Sequence, residues 1–387
     1  MAETTKRPEW TPENASDAFA TRVMPGVVGG HDGLPAAKGK EGTAVAVTAV
    51  PSRRQLTTNE YVQGVLTGDR AVLARAITLI ESNASHHVDQ AQEVLKQLLP
   101  HTGRATRVGL TGVPGAGKSS LIETLGVTLV AQGHKVAVLA IDPTSSVTRG
   151  SILGDKTRME KLATLPAAFI RPSPSGGIPG GVARKTRETM LVCEAAGFDV
   201  LLVETVGAGQ SEIAVRAMVD FFLLLLVPGA GDELQGIKKG VVELADAIFI
   251  NKADGDNKIR AEASRAEYNR ALHYLPPATA GWRTQADTGS AVTGEGVAHL
   301  WEVIRQFQET TMASGVWQAR RREQSRDWLH TLIAEQLHAY FYNQPQVQAQ
   351  LSTVEQAVMD GEMPVTAAAR HLLHLFNTEA HETFRKT

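Results

Sequence analysis

Between residues 57 and 99, apolar side chains recur three and four positions apart: Val72, Leu73, Ala76, Ile77 and Ile80, then Ala91, Val94, Leu95 and Leu98. That spacing lines one face of a helix, and Pro100 stops it. The segment is expected to hold two or three amphipathic helices packed on the next part of the chain. From Arg107 the pattern changes to short, almost unbroken apolar runs separated by helical stretches. The runs are 107–111, 136–141, 167–170, 200–204, 221–227 and 247–251. A run without polar alternation is a strand buried on both faces, which means a parallel sheet with helices on each side. A last strand-to-helix step is expected near Ser290, its helix running to about Phe307. After Gly315 the strand pattern ends. Trp328, Leu329, Leu332, Ile333, Leu337, Tyr340 and Phe341 form one helical stripe, and a second helix-rich part continues through Ala367, Leu372, Leu375 and Phe376. Such a stripe either packs on its own partner helices or forms an intersubunit surface.

These patterns divide the chain into an extension (1–55), a helical segment (56–103), an α/β domain (104–312) and a helical arm (313–387). The extension holds five prolines and six glycines with no sustained apolar period, and is expected to be disordered. It lacks the apolar core of a secretory signal. Glu3, Glu9, Glu13, Asp17, Asp32 and Glu41 argue against an organelle transit peptide.

Composition narrows the function classes. The 387 residues are 43% hydrophobic and 21% charged, with a formal net charge of −2. No positive excess calls for a nucleic-acid or bilayer partner. The longest apolar run, 221–227, is far short of the roughly 20 residues of a membrane helix. One cysteine, Cys193, permits no internal disulfide and suits a reducing compartment, so a cytoplasmic location is expected.

The first chemical motif is Gly112-Val113-Pro114-Gly115-Ala116-Gly117-Lys118-Ser119, directly after a strand and opening a helix expected over 120–130. It fits G-x-x-x-x-G-K-[ST]. Its glycines let backbone N–H groups turn inward around phosphates, and the helix start at Ser119-Ser120 adds the positive end of a dipole. Lys118 is placed for the β- and γ-phosphates, and the Ser119 hydroxyl for Mg²⁺.

The second motif, Asn251-Lys252-Ala253-Asp254, follows another strand. The Asp254 carboxylate can accept two hydrogen bonds, from the ring N–H and exocyclic amine of guanine. Adenine lacks that donor pair and would leave the carboxylate unpaired. Asn251 would brace the loop, the Lys252 stem would cover the ring face, and Ser290-Ala291 would offer a backbone N–H to the guanine oxygen. Asp142 and Glu204 end two central strands, where a hard cation finds oxygen ligands. Asp155 lies in a polar loop able to close over the metal, and the residues alone leave its role open. The Gly207 amide is a candidate sensor of the γ-phosphate, which would make 206–211 a switch.

With these residues the chain resembles the GTPase chaperones of adenosylcobalamin-dependent acyl-CoA mutases, the MeaB/ArgK group that includes the methylmalonic aciduria type A protein. The matching blocks run through the whole nucleotide domain. Gly150-Ser151-Ile152-Leu153-Gly154-Asp155-Lys156-Thr157-Arg158-Met159 and Asp232-Glu233-Leu234-Gln235-Gly236-Ile237-Lys238-Lys239-Gly240 are the most specific. The resemblance implies a P-loop NTPase fold of the SIMIBI, G3E-like class, with flanking N-terminal helices and a C-terminal arm that forms a homodimer. It implies that Asp155 joins Ser119, Asp142 and Glu204 around Mg²⁺. It also implies an extra switch at 232–240, with Gln235 and Lys238 acting in it beside Lys118. GTP and GDP are then the ligands, an acyl-CoA mutase the partner, and adenosylcobalamin the partner's cofactor. Without the resemblance, 232–240 reads as a solvated charged turn.

Other GTPase classes fit less well. A nickel-inserting GTPase needs a Cys/His site, whereas this chain has one cysteine and isolated pairs such as His86-His87 and His371/His374. A protein-targeting GTPase wants a methionine-rich helical domain, and the eight methionines here are scattered. A kinase would need a base for a substrate hydroxyl, and none is apparent. Neither a water-positioning residue nor an arginine finger is identifiable, so slow intrinsic turnover is expected.

Overall fold

The computed structural model describes residues 54–82, 84–142, 159–174, 181–205, 211–229 and 239–384. The chain divides into two units, Met1–Gln55 and Leu56–Thr387. Nearly all of the first unit, with its expected disorder, lies outside the described residues.

The second unit begins with three helices, α1 (Thr58–Leu66), α2 (Arg70–Glu81) and α3 (Ser85–Leu98). Each of the first two starts on a side-chain cap. Thr57 and Glu60 form a reciprocal capping box on α1, and the Asp69 carboxylate accepts from the Ala71 and Val72 N–H groups on α2. Seven strands follow: β1 (Thr106–Gly112), β2 (Val136–Asp142), β3 (Ala168–Pro174), β4 (Val200–Thr205), β5 (Phe221–Leu226), β6 (Ala247–Ile250) and β7 (Gln285–Thr288). All pair in parallel, in the order β3-β2-β4-β1-β5-β6-β7. The intervening helices are α4 (Lys118–Ala131), α5 (Glu160–Ala163), α6 (Gly181–Ala195), α7 (Ser211–Arg216), α8 (Lys239–Leu244), α9 (Lys258–Leu272) and α10 (Val297–Ala313). The arm comprises α11 (Val316–Tyr342), α12 (Pro345–Met359) and α13 (Val365–Phe384).

The unbroken apolar runs serve two cores at once, because successive strand side chains point to opposite faces. Phe221, Leu223 and Leu225 pack with α4, α10 and Trp317 on one face. Phe222 joins α1, α2, α3 and α6 on the other, and Leu224 and Leu226 pack there with α9. Burying each such side chain contributes about 1.5–3 kcal/mol, so a polar residue is accommodated in the central strands only where it finds a hydrogen-bond partner, as Thr111 and Thr205 do in each other.

The strand-to-helix step expected near Ser290 is there: β7 ends at Thr288, Ser290 lies in the turn, and α10 starts at Val297. The β7 sequence Gln-Ala-Asp-Thr has no apolar run to announce an edge strand. Other element boundaries depart from the sequence pattern, and β3 runs on to Pro174. α10 continues six residues past Phe307, where Thr311 is buried and its hydroxyl donates to the Phe307 carbonyl at 2.7 Å. α4 starts at Lys118 because Gly117, in the left-handed region at φ 91°, already serves as its N-cap.

α11 is bound to the sheet at its own beginning. Trp317 is buried beside Phe307, their ring centroids 6.4 Å apart. Arg321 grips the buried Asp220 with both arms of its guanidinium, at 2.7 and 2.6 Å. Arg320 lies over the Phe307 ring and comes within 3.6 Å of Asp246, which is fully buried and also faces Arg216 at 3.4 Å. Asp246 accepts from the Phe222 N–H and the Thr279 hydroxyl as well. Asp220 and Asp246 stand just before β5 and β6, so this docking point is at the amino ends of the strands. Removing one partner of a buried ionic cluster strands the others in low dielectric. Asp246→Ala is expected to cost about 3–5 kcal/mol, read as a lower denaturant midpoint; a loss below about 1 kcal/mol would show the cluster to be dispensable.

Candidate functional site

In an open parallel sheet, ligand crevices form beyond the carboxyl ends of the strands where the strand order reverses. Here β1 is central, with β4 on one side and β5 on the other, and the Gly112–Ser119 loop leaves its carboxyl end. Gly112 is required at that exit. Its φ is 152°, and a Cβ there would overlap the Leu225 carbonyl oxygen of β5. Gly117 is required for φ 91°, and a Cβ would stand 2.5 Å from Asn251 Nδ2. Pro114, Gly115 and Ala116 complete the turn, with the Ala116 N–H donating to the Val113 carbonyl at 3.1 Å. Beneath the loop the buried Thr205 hydroxyl donates to Thr111 at 3.0 Å, joining β4 to β1.

Lys118 folds back over this loop. Its Nζ donates to the carbonyls of Gly112 at 2.7 Å and Val113 at 3.3 Å, and the residue is buried. Burial pushes the ammonium below the usual lysine range, while the Glu204 and Glu212 carboxylates pull it back. A desolvated cation whose hydrogen bonds go to backbone carbonyls is a strong attractor for phosphate oxygens. Ser119 Oγ donates to Glu204 Oε1 at 2.9 Å. Glu204 is itself buried near the end of β4, so the two oxygens form part of a hard donor set suited to Mg²⁺. Asp142 ends β2 on the same side of the sheet, but its side chain lies outside the described residues. So do Asp155, Gly207, Gln235 and Lys238, and with them both expected switches.

The base motif is assembled around one side chain. Asn251, 2% exposed, donates from Nδ2 to the Ala116 carbonyl at 2.8 Å and accepts at Oδ1 from the Ala291 N–H at 2.9 Å. It thereby ties the phosphate loop to the turn after β7. Thr124 of α4 reinforces the tie by donating to the Ala291 carbonyl at 2.6 Å. Asp254 accepts from the Ser290 hydroxyl, which also accepts from the Val292 and Thr293 N–H groups at 3.2 Å. The Ser290 N–H donates to the Glu295 carbonyl. The Ala291 N–H, by contrast, is the one bound to the motif, at Asn251 Oδ1.

Lys252, at φ 60°, is the only non-glycine in the left-handed region among the described residues. The cost, roughly 1–2 kcal/mol, is held in place by hydrogen bonds on either side, from Asn251 N–H to Leu226 and from Ala253 N–H to Gly289. Such strain concentrates where a loop must present side chains to a ligand. Nothing in the sequence marks it, nor the roles of Thr111, Thr124 and Thr205, whose partners are 94 and 167 residues away.

The His86 and His87 rings lie 4.1 Å apart and tilted by 56°, and His87 Nδ1 faces the Ser82 hydroxyl at 2.7 Å. Among the described residues no group of three or more His, Cys, Asp or Glu side chains is placed to hold a metal ion, and no helix is long and apolar enough to cross a membrane.

Comparison with known proteins agrees with this architecture. The family described as methylmalonyl Co-A mutase-associated GTPase MeaB matches residues 73–346. The GTPase ArgK of Escherichia coli is 47% identical over 283 residues, covering 73% of this chain and 86% of its own. The mitochondrial methylmalonic aciduria type A homolog of Mus musculus is 43% identical over 336 residues, covering 84% and 81%. A crystal structure of a protein named LAO/AO transport system kinase superposes with a TM-score of 0.68 at 37% identity, covering 84% of this chain and 99% of that one.

Asn251→Ala leaves the Ala116 carbonyl and Ala291 N–H without their partner. The expected loss is about 1–3 kcal/mol of stability, together with at least about tenfold weaker nucleotide binding, measured by chemical denaturation and titration with a fluorescent GDP. Unchanged affinity would show that the tie does not shape the site.

Proposed function

Since the chain belongs to the MeaB family of methylmalonyl-CoA mutase-associated GTPases, we propose that it gates delivery of adenosylcobalamin to an acyl-CoA mutase and protects or reactivates that enzyme. It is a GTP hydrolase with the P-loop fold. The observation that carries the nucleotide reading is the Asn251 tie, which sets a phosphate loop and an acid-bearing base loop side by side at the carboxyl ends of parallel strands.

In this reading the Gly112–Ser119 backbone cradles the phosphates, with Ser120 in the first turn of α4 adding to the helix dipole. Lys118 leaves the Gly112 and Val113 carbonyls for the β- and γ-phosphates. Asp254 accepts the guanine N–H pair, Lys252 covers the ring, and the Ala291 N–H beside Ser290 reaches the purine oxygen. Ser119, Glu204, Asp142 and Asp155 would hold Mg²⁺, which neutralises phosphate charge. Water attacks the γ-phosphorus in line, the bond to the β,γ-bridging oxygen breaks, and GDP departs with its new charge against Lys118. The Gly207 amide registers the γ-phosphate. Gln235 and Lys238 act in the extra switch, which passes the nucleotide state to the mutase.

No residue of the sequence marks itself as the group that orients the water, and turnover is slow until the mutase orders the switches. Adenosylcobalamin remains the mutase's cofactor. The client is methylmalonyl-CoA mutase or an isobutyryl- or 2-hydroxyisobutyryl-CoA relative, and the work is done in the cytoplasm. The arm pairs two copies: Leu329, Ile333, Leu337 and Tyr340 lie at four- and three-residue spacing on α11, each about half exposed, as a dimer face would be. Insertion of nickel, the alternative for this architecture, would call for a Cys/His site, and the chain has one cysteine.

Two experiments test the reading. Asp254→Asn presents an amide N–H where guanine needs an acceptor, so GTP affinity falls by about 1–3 kcal/mol or more and xanthosine triphosphate binds in its place. Retention of guanine preference would remove Asp254 from base recognition. GTP turnover, measured alone and with each candidate mutase, is expected to rise with one of them, and Lys238→Ala is expected to abolish the rise. Acceleration by none would overturn the mutase role and leave the GTPase.

A further inference from the structure

At the amino ends of the strands, far along the sheet from the phosphate loop, a cavity of about 440 Å³ opens between α6, the start of β1 and α11. That volume lies within the range of small-molecule sites, roughly 300–1,000 Å³. Three arginines line it: Arg107, Arg187 and Arg321. Two are neutralised. Arg107 Nε is 2.6 Å from Glu194, and Arg321 grips Asp220 through two hydrogen bonds. Arg187 differs. Its two terminal nitrogens donate only to backbone carbonyls, of Gln324 at 3.0 Å and Ala217 at 2.8 Å. No carboxylate of the described residues pairs with it: Asp327, which draws the guanidinium back up, makes no hydrogen bond to it, lies 3.5 Å from Arg326 and is largely exposed. Burial and the neighbouring Arg107 charge push the Arg187 guanidinium down to about 10.

Two further donors, on residues that line the cavity, have no acceptor. Arg187 Nε and the indole Nε1 of Trp328 are both buried and unpartnered, with the guanidinium stacked over the Trp328 ring at 5.5 Å. A desolvated cation with orphan donors beside it is costly unless an anion completes it. The remaining lining is largely apolar, including Met190, Leu191 and Met218.

We propose that this cavity binds a small organic monocarboxylate with an apolar body, its carboxylate on Arg187 and its hydrocarbon against Met190, Leu191 and Trp328. The geometry selects the class. One uncompensated positive charge calls for one negative charge, and a planar guanidinium suits a carboxylate fork. A phosphate dianion would be left with surplus charge and oxygens facing thioether and aromatic surface. Because α6, the Ala217–Met218 turn and α11 all contribute, the bound acid would fasten the arm's first helix to the body.

The test is calorimetry on the full chain with benzoate and hexanoate, each compared with its neutral isostere, benzamide or hexanol, and with inorganic phosphate. Saturable binding of an acid, at least tenfold tighter than its neutral isostere and not matched by phosphate, is expected. Arg187→Met should weaken it at least tenfold while fluorescent GDP binds as in the wild type. Ser325→Trp, which fills the cavity from an exposed position on α11 and keeps the arginine, should abolish it. No saturable binding of either acid, equal binding of the neutral isosteres, tighter binding of phosphate, or wild-type binding by both variants would overturn the proposal.

Discussion

The nucleotide end of this molecule is organised by a single buried amide. Asn251 uses its nitrogen on the phosphate loop and its oxygen on the turn after β7, so two segments about 175 residues apart in sequence are held at one spacing. Both the close pass of Gly117 and the strained backbone of Lys252 follow from that placement. No shorter or branched side chain can make both bonds, and a charged one would be stranded at 2% exposure. The hydroxyls of Thr124 and Ser290 add further bonds to the same turn, making the base loop and the phosphate loop one rigid body.

The opposite end is organised by charge. Asp220 and Asp246, buried before β5 and β6, receive Arg321, Arg320 and Arg216 from α11 and α7. These contacts fix only the first third of α11. Beyond Trp328 the helix leaves the body, and its packing passes to α12 and α13, whose own core is small: Val347, Val354, Ala368 and Leu372. The arm is thus rigidly founded and sparsely covered, a combination that leaves Leu329, Ile333 and Leu337 exposed. α7 and α8 each follow a segment expected to respond to nucleotide, and both lead to Asp246, so the ionic cluster stands between those segments and the arm.

Much of this was legible in the chain itself. The apolar runs announced a two-faced parallel sheet because only double burial removes the polar alternation. G-x-x-x-x-G-K-[ST] and N-K-x-D announced their own chemistry, since a backbone cradle needs glycine and a guanine-reading loop needs a carboxylate. The pairing of those motifs came from chemistry as much as from position. What stayed hidden was whatever depends on a partner distant in sequence. The last strand could be placed only as a step near Ser290, because an edge strand with one wet face carries no apolar run. The last turn of α10 was missed because Thr311 is polar by composition and buried by context.

Local pattern therefore determined the fold class and the order of the elements, and it carries the proposed phosphate and base motifs, because each of these rests on residues within a few positions of one another. Only the tertiary structure decided that Asn251 joins them, that Lys252 is strained, that Asp220 and Asp246 found the arm, and that Arg187 stands without a counter-ion. Those are facts about desolvation and pairing, and a side chain's dielectric and partners are set by whatever the fold brings beside it.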